Sequence, residues 1–162
     1  MTGVIFLNID GVLTTARTSI AYSESNMRTL DPVSVRMIAS ICKQSNMKIC
    51  ISSDWKNDTP LRADFVLKFA FNGGMPLIRH IFKGKNWCTP TYKNHDREDE
   101  ILSWLEDNPT SNIIVIDHSD LGCNLERYLV KSFPYEGFSF ENYLETVKII
   151  EENALLSQND NR

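Results

Sequence analysis

Apolar and polar positions along the chain fall into short segments of two kinds. Residues 3 to 7 are a continuous apolar run with the length of a strand covered on both faces, and "MKICISS" and "NIIVID" are two more. Runs with helical spacing lie between them. "DPVSVRMIASICKQSN" offers Asp31 as N-cap, Pro32 at the first helical position, and Val33, Met37, Ile38, Ile41 and Cys42 on one face. "TPLRADFVLKFAFNGG" repeats the order of cap, proline and amphipathic run and stops at Gly73 and Gly74. "REDEILSWLEDNP" carries Ile101, Leu102, Trp104 and Leu105 at helical spacing behind acids in the first turn, where the helix dipole favours them. "RYLVKS" reads as a short last strand, and "SFENYLETVKIIEENALL" as a helix capped by Ser139. Residues 75 to 94 show no period. "LIRHIF" has the character of a short strand, but "KGKNWCTPTYKN" mixes turn residues, bases and aromatics, and the segment reads as a functional loop.

Strands alternating with helices predict an α/β fold with right-handed crossovers and a mostly parallel sheet carrying helices on both sides, a three-layer sandwich. With no internal repeat or linker, residues 1–156 are expected to form a single domain, and "SQNDNR", residues 157–162, a disordered tail. The 162 residues suffice for one real core. A net charge of −4 argues against a protein that coats long duplexes or membrane surfaces, although a local basic patch stays open. Cys42, Cys50, Cys88 and Cys123 are widely spaced without a C-x-x-C pair and read as reduced structural thiols rather than a zinc site. No apolar run approaches the ~20 residues of a membrane span. Asn8 and Asp10 interrupt the one leader-like stretch, so a cytoplasmic location is expected.

In an open α/β sheet the ligand lies outside the carboxyl ends of the strands. The residues ending the apolar runs are Asn8 and Asp10, then Ser52 and Ser53, then Asp117 with Asp120 close behind. Singly, each has a structural explanation as a turn or cap residue. Together, three strands deliver acids, an amide and a hydroxyl to one crevice, an oxygen-rich set suited to Mg²⁺ and hence to phosphate chemistry. Asn8 and Asp10, two apart, point to the same side if the extended geometry persists. The chain has no phosphate-binding G-x-x-x-x-G-K-[ST] loop, no G-x-S-x-G elbow, no H-E-x-x-H and no G-x-G-x-x-G after the first strand. His118 reads as a loop or supporting residue rather than a metal ligand, and His80 and His95 have no supporting pattern.

"FLNIDGVL", "ICISSDW" and "IIVIDHSD", in this order and each at a strand end, resemble the first, second and fourth motifs of haloacid dehalogenase (HAD) superfamily phosphatases. The compact type found as the HAD domain of Swiss Army Knife RNA repair proteins is the most similar. "SSDWK", "TP" at 89 and 90, "REDEILSWL" and the "LVKSFPYEGFSFENYLETVKIIE" ending all match it. The resemblance implies a Rossmann-like fold without a large cap domain, since only residues 14–30 and 56–94 could carry specificity insertions. It also implies a first carboxylate that attacks phosphorus and a second that acts as general acid, then base. Carried over, position 8 is the nucleophile's place, Asp10 the acid/base, and Ser52 the donor to a phosphate oxygen, with Ser53 the alternative. Mg²⁺ would be held by Asn8, the Asp10 backbone carbonyl and Asp117, with Asp120 supporting directly or through water. The third-motif base is Arg97 by spacing, with Lys93 the alternative; Gly11 is expected at the substrate.

The departure is Asn8, where the motif has aspartate. An amide oxygen is a poor nucleophile, and losing the carboxylate should lower turnover by on the order of 10⁴ or more. Asn8 therefore reads as a disabled nucleophile, a substrate-trapping form of an active phosphatase rather than a natural inactive relative. The expected substrate is a nucleotide, as for a 5′-nucleotidase, enclosed by aromatics such as Trp55, Trp87 and Tyr92; stacking is worth about 1–3 kcal/mol per base. Core packing explains Trp55 and Trp87 equally well. The alternatives are a phosphatase for terminal phosphates of RNA or DNA, and an inactive phosphate- or nucleotide-binding module.

Overall fold

The computed structural model describes residues 3–21, 29–94 and 96–159. The first apolar run is strand β1 (Val4–Leu7), and its residues alternate between two cores: Ile5 and Leu7 face one, Val4 and Phe6 the other. Helix α1 (Ala16–Ala21) follows, and residues 22–28 of the first candidate specificity loop lie outside the described residues. Helix α2 (Pro32–Ser45) starts where Asp31 accepts from the Val33 and Ser34 amides and ends on Asn46 at φ 55°. Strand β2 (Lys48–Ile51), the single turn α3 (Trp55–Asp58) and helix α4 (Arg62–Phe69) come next. After a π-turn over Ala70–Gly74 come helices α5 (Met75–Ile78) and α6 (Arg97–Asp107), then strands β3 (Ile113–Asp117) and β4 (Leu129–Lys131). Helix α7 (Phe140–Asn159) completes the chain.

Among the described residues the strands form one four-stranded parallel sheet in the order β2-β1-β3-β4. Residues of α2, α4, α5 and α7 join the core on one face of the sheet; Ile101 and Trp104 of α6 pack on the other. The three-layer α/β expectation therefore holds, and no separate cap domain stands over the sheet among the described residues.

Three local readings need correction. Val33 is 60% exposed; the buried face of α2 is Ser34, Val35, Ile38, Ile41 and Cys42. Residues 75–94 are not an open loop. Their backbone meets the edge of β2 at two isolated parallel bridges, Ile49 with Ile81 and Ile51 with Cys88, and a 3₁₀ turn at Gly84–Trp87 between them hides the period. At the C-terminus, α7 continues at backbone level to Asn159, into the expected tail; residues 160–162 lie outside the described residues.

Candidate active site

The strand order reverses between β1 and β3, the position where open α/β sheets hold ligands. Leu7 is in register with Ile116 on one side and Ile51 on the other, which sets Asn8, Asp117 and Ser52 at one level. The ladder continues one step further, with Asn8 N donating to Ile116 O at 3.0 Å and Ser52 N to Leu7 O at 2.9 Å. Asn8, Ser52 and Asp117 are 2%, 1% and 1% exposed, so this crevice floor is polar and buried.

Asn8 is tied down at both ends of its amide. Its Oδ1 accepts from the Ile9 amide at 2.8 Å, while Nδ2 donates to the Asp10 carbonyl at 3.1 Å and to Asp117 Oδ1 at 3.0 Å. His118 Nδ1 lies 3.0 Å from the same nitrogen, a pairing that needs the imidazole proton on Nε2. The opposite amide orientation would set oxygen against the Asp117 carboxylate and NH₂ against the Ile9 N–H. The hydrogen-bond partners therefore fix which end is which.

Asp10 Oδ1 accepts from Thr14 Oγ1 at 2.9 Å and from Trp55 Nε1 at 3.2 Å. Trp55 is thus a positioning group for Asp10. It is 2% exposed and Trp87 is 6% exposed against Phe65, so neither ring offers a face to a base, and the stacking expectation fails for both. Tyr92 stays at the surface with its hydroxyl on Ser103 Oγ. Gly11 also differs from expectation. Its N–H is committed to Thr14 O and its carbonyl accepts from Ser132 Oγ, so it shapes the turn rather than meeting a substrate through its backbone. Its φ of 76° and a methyl-to-ring approach of 2.8 Å to His118 exclude a side chain there.

The two serines behave differently. Ser53 Oγ receives the Trp55 amide at a long 3.4 Å, whereas the buried Ser52 Oγ has no protein partner. Arg97 is 19% exposed and sets Nε 3.5 Å from Asp117 Oδ2, with Asp54 and Glu100 at 3.9 and 3.8 Å from its terminal nitrogens. Lys93 is exposed on the loop before α6, so of the two candidate bases Arg97 reaches the crevice. The sequence reading missed an ion pair behind it. Lys56 Nζ donates to Glu100 Oε2 at 2.6 Å and Thr89 Oγ1 at 2.8 Å, with both charged side chains almost fully buried. Lys56, Thr89 and Glu100 lie in "SSDWK", "TP" and "REDEILSWL", three of the segments that carry the resemblance, but nothing in those segments marks the three as one buried cluster.

The arrangement disagrees with a resident Mg²⁺. Asp117 Oδ1 already accepts from the His118 and Ser119 amides, at 2.7 and 3.0 Å, as well as from Asn8. The Asp10 carbonyl also accepts from Asn8, and Oδ2 of Asp117, which has no hydrogen bond, faces Arg97. Asp120, expected to support the ion, is 85% exposed and pairs with Lys131 at 2.5 Å, because its loop turns it outward to the nearest cation. Among the described residues no three His, Cys, Asp or Glu side chains gather as a metal-holding group. As arranged, an amide nitrogen stands where the oxygen set would need a second carboxylate beside that of Asp117.

A separate groove of about 900 Å³ is lined by Arg17, Ile20, Val33, Met37, Phe138 and Phe140 among others and shares no residue with this crevice. Among the described residues no helix is long and apolar enough to cross a membrane. Comparison with curated proteins and with solved structures gave no match. The family model for the HAD domain in Swiss Army Knife RNA repair proteins matches residues 4–143, from the first residue of β1 into α7. Strand order, the Asp10-Gly11 turn and Asp117 at the switch point all lie within that match, and the chain belongs to this family of HAD domains.

Proposed function

We propose that this chain binds terminal phosphate monoesters of nucleic acid in a phosphatase crevice whose attack step is held back by Asn8. The observation that carries the reading is the amide itself. Asn8 Oδ1 is committed to the Ile9 amide and Nδ2 to Asp10 O and Asp117, which leaves no nucleophilic electron pair aimed at phosphorus. The remaining parts suit a phosphate ester. Ser52 Oγ is an unused buried donor and Arg97 supplies the positive charge. Asp10, whose Oδ1 is held by Thr14 and Trp55, would act as acid toward a leaving oxygen.

HAD-type phosphatases generally use Mg²⁺, and a carboxylate at position 8 would complete the oxygen set for it. Burial of Trp55 and Trp87 removes stacking on these rings as a ground for a nucleotide, while the net charge of −4, which disfavours a long polyanion, is unchanged. A crevice over which no cap domain stands among the described residues, in a family named for RNA repair, favours a strand end instead. The test is equilibrium binding of oligonucleotides bearing a 3′-phosphate, a 5′-phosphate or neither, alongside nucleoside monophosphates. Binding that requires the terminal phosphate, favours oligonucleotides and falls with salt is expected. Equal binding of the unphosphorylated strand would remove the proposal, and tighter binding of a mononucleotide would return the substrate to the nucleotide class.

A further inference from the structure

We infer that the Asn8 amide takes over the electrostatic task of a divalent cation, so that this site is organised without one and binds its phosphate ester independently of Mg²⁺. Nδ2 gives its two hydrogens to the Asp10 carbonyl and Asp117 Oδ1 at 3.1 and 3.0 Å, and His118 Nδ1, an acceptor only in the tautomer protonated at Nε2, stands 3.0 Å from the same nitrogen. Such convergence of acceptors on one buried point is what a cation would otherwise satisfy. Here a neutral donor meets the Asp10 carbonyl and Asp117 Oδ1, and Arg97 Nε offers a positive charge 3.5 Å from Asp117 Oδ2, which has no hydrogen bond.

The substitution also changes the charge requirement. Aspartate at position 8 would add a second buried carboxylate about 3 Å from that of Asp117, a repulsion that only a cation or a proton relieves. Asparagine removes the repulsion and supplies the donor together. A cation would have to displace Nδ2 from Asp10 O and Asp117, and rotating the amide to offer Oδ1 would break the Ile9 bond. The inference deepens the phosphate-site reading and rests on it for the ligand, while its test reads the metal and the fold directly.

The test titrates MnCl₂ into the full chain and into Asn8→Asp, reading bound ion by electron paramagnetic resonance, with melting curves in MgCl₂ and in EDTA. Asn8→Asp should bind Mn²⁺ at least about 100-fold more tightly and melt higher with Mg²⁺, while the Asn8 chain moves by no more than about 1 °C. An Asn8→Asp chain that folds only with Mg²⁺ is the same result in stronger form. Asn8→Ala, which strips the acceptors of their donor, should melt about 3 °C or more lower. Mn²⁺ affinities within tenfold of each other, or an Asn8→Ala chain that melts unchanged, would overturn the inference. Failure of phosphorylated oligonucleotides to bind would instead remove the phosphate reading and leave these readouts as they are.

Discussion

Removing one member of the Lys56–Glu100 pair leaves the other charge in a site where the side chains are 2% and 3% exposed. Glu100→Ala should therefore cost about 3–5 kcal/mol in urea unfolding, whereas Lys56→Met with Glu100→Leu should come close to neutral stability. The double variant should still weaken binding of a phosphorylated end, because Glu100 Oε2 also lies 3.8 Å from the Arg97 guanidinium that faces Asp117. At this scale the sequence discloses some residues and hides others for a physical reason. Asn8, Ser52 and Asp117 are legible because each follows or ends an unbroken apolar run, and a polar residue there is exceptional. Lys56 and Glu100 sit at helix starts, where charged residues are ordinary and nothing in the order of residues signals burial. Asp120 errs the other way: two residues separate it from the Asp117–His118 junction, but the loop carries it out to Lys131.

The turn after β1 links element geometry to the site. Gly11 adopts φ 76° so that the chain can return through Thr14 while its Cα approaches the His118 ring. Gly11→Ala should lower stability by more than about 1 kcal/mol and shift the His118 ring resonances in NMR, since the added methyl meets ring atoms at 2.8 Å. Strand identities followed from unbroken apolar runs because β1, β2 and β3 are covered on both sides, and those of α2 and α6 from helical spacing because each is covered on one. Phase was harder. Val33 fits a helical stripe with Met37 and Ile41, and Val35 one with Ile38 and Cys42, and only the position of the sheet decides that Val35 is buried. Residues 75–94 escaped because two single bridges to β2 around a 3₁₀ turn leave no repeating spacing to detect. The cap of α7 was legible: Ser139 Oγ accepts from the Asn142 amide, and Asn142 Oδ1 accepts from Ser139 N in return.

For the whole molecule, the cores on both faces of the sheet set the reactivity of its thiols. Burial pushes the Cys42 thiol up to about 12 and Cys88 to about 11, and raises Cys50 well above its ordinary value, because the thiolate is the form that burial disfavours. At pH 8 these three stay protonated, so a thiol-specific reagent should label the exposed Cys123 rapidly and the others only on unfolding. Rapid labelling of Cys42 or Cys50 in the folded chain would contradict the core described. The same two-sided sheet fixes β1 between β2 and β3, so position 8 has rigid neighbours and its chemistry is set by one side chain. On the function proposed, Asn8 alone separates a phosphate-binding crevice from a phosphatase. That claim is tested most directly by inorganic phosphate release from 3′- and 5′-phosphorylated oligonucleotides by the Asn8→Asp chain, with and without Mg²⁺. A Mg²⁺-dependent rate on the order of 10⁴ or more above that of the Asn8 chain is predicted. No release by the folded variant, or equal release by both chains, would contradict it.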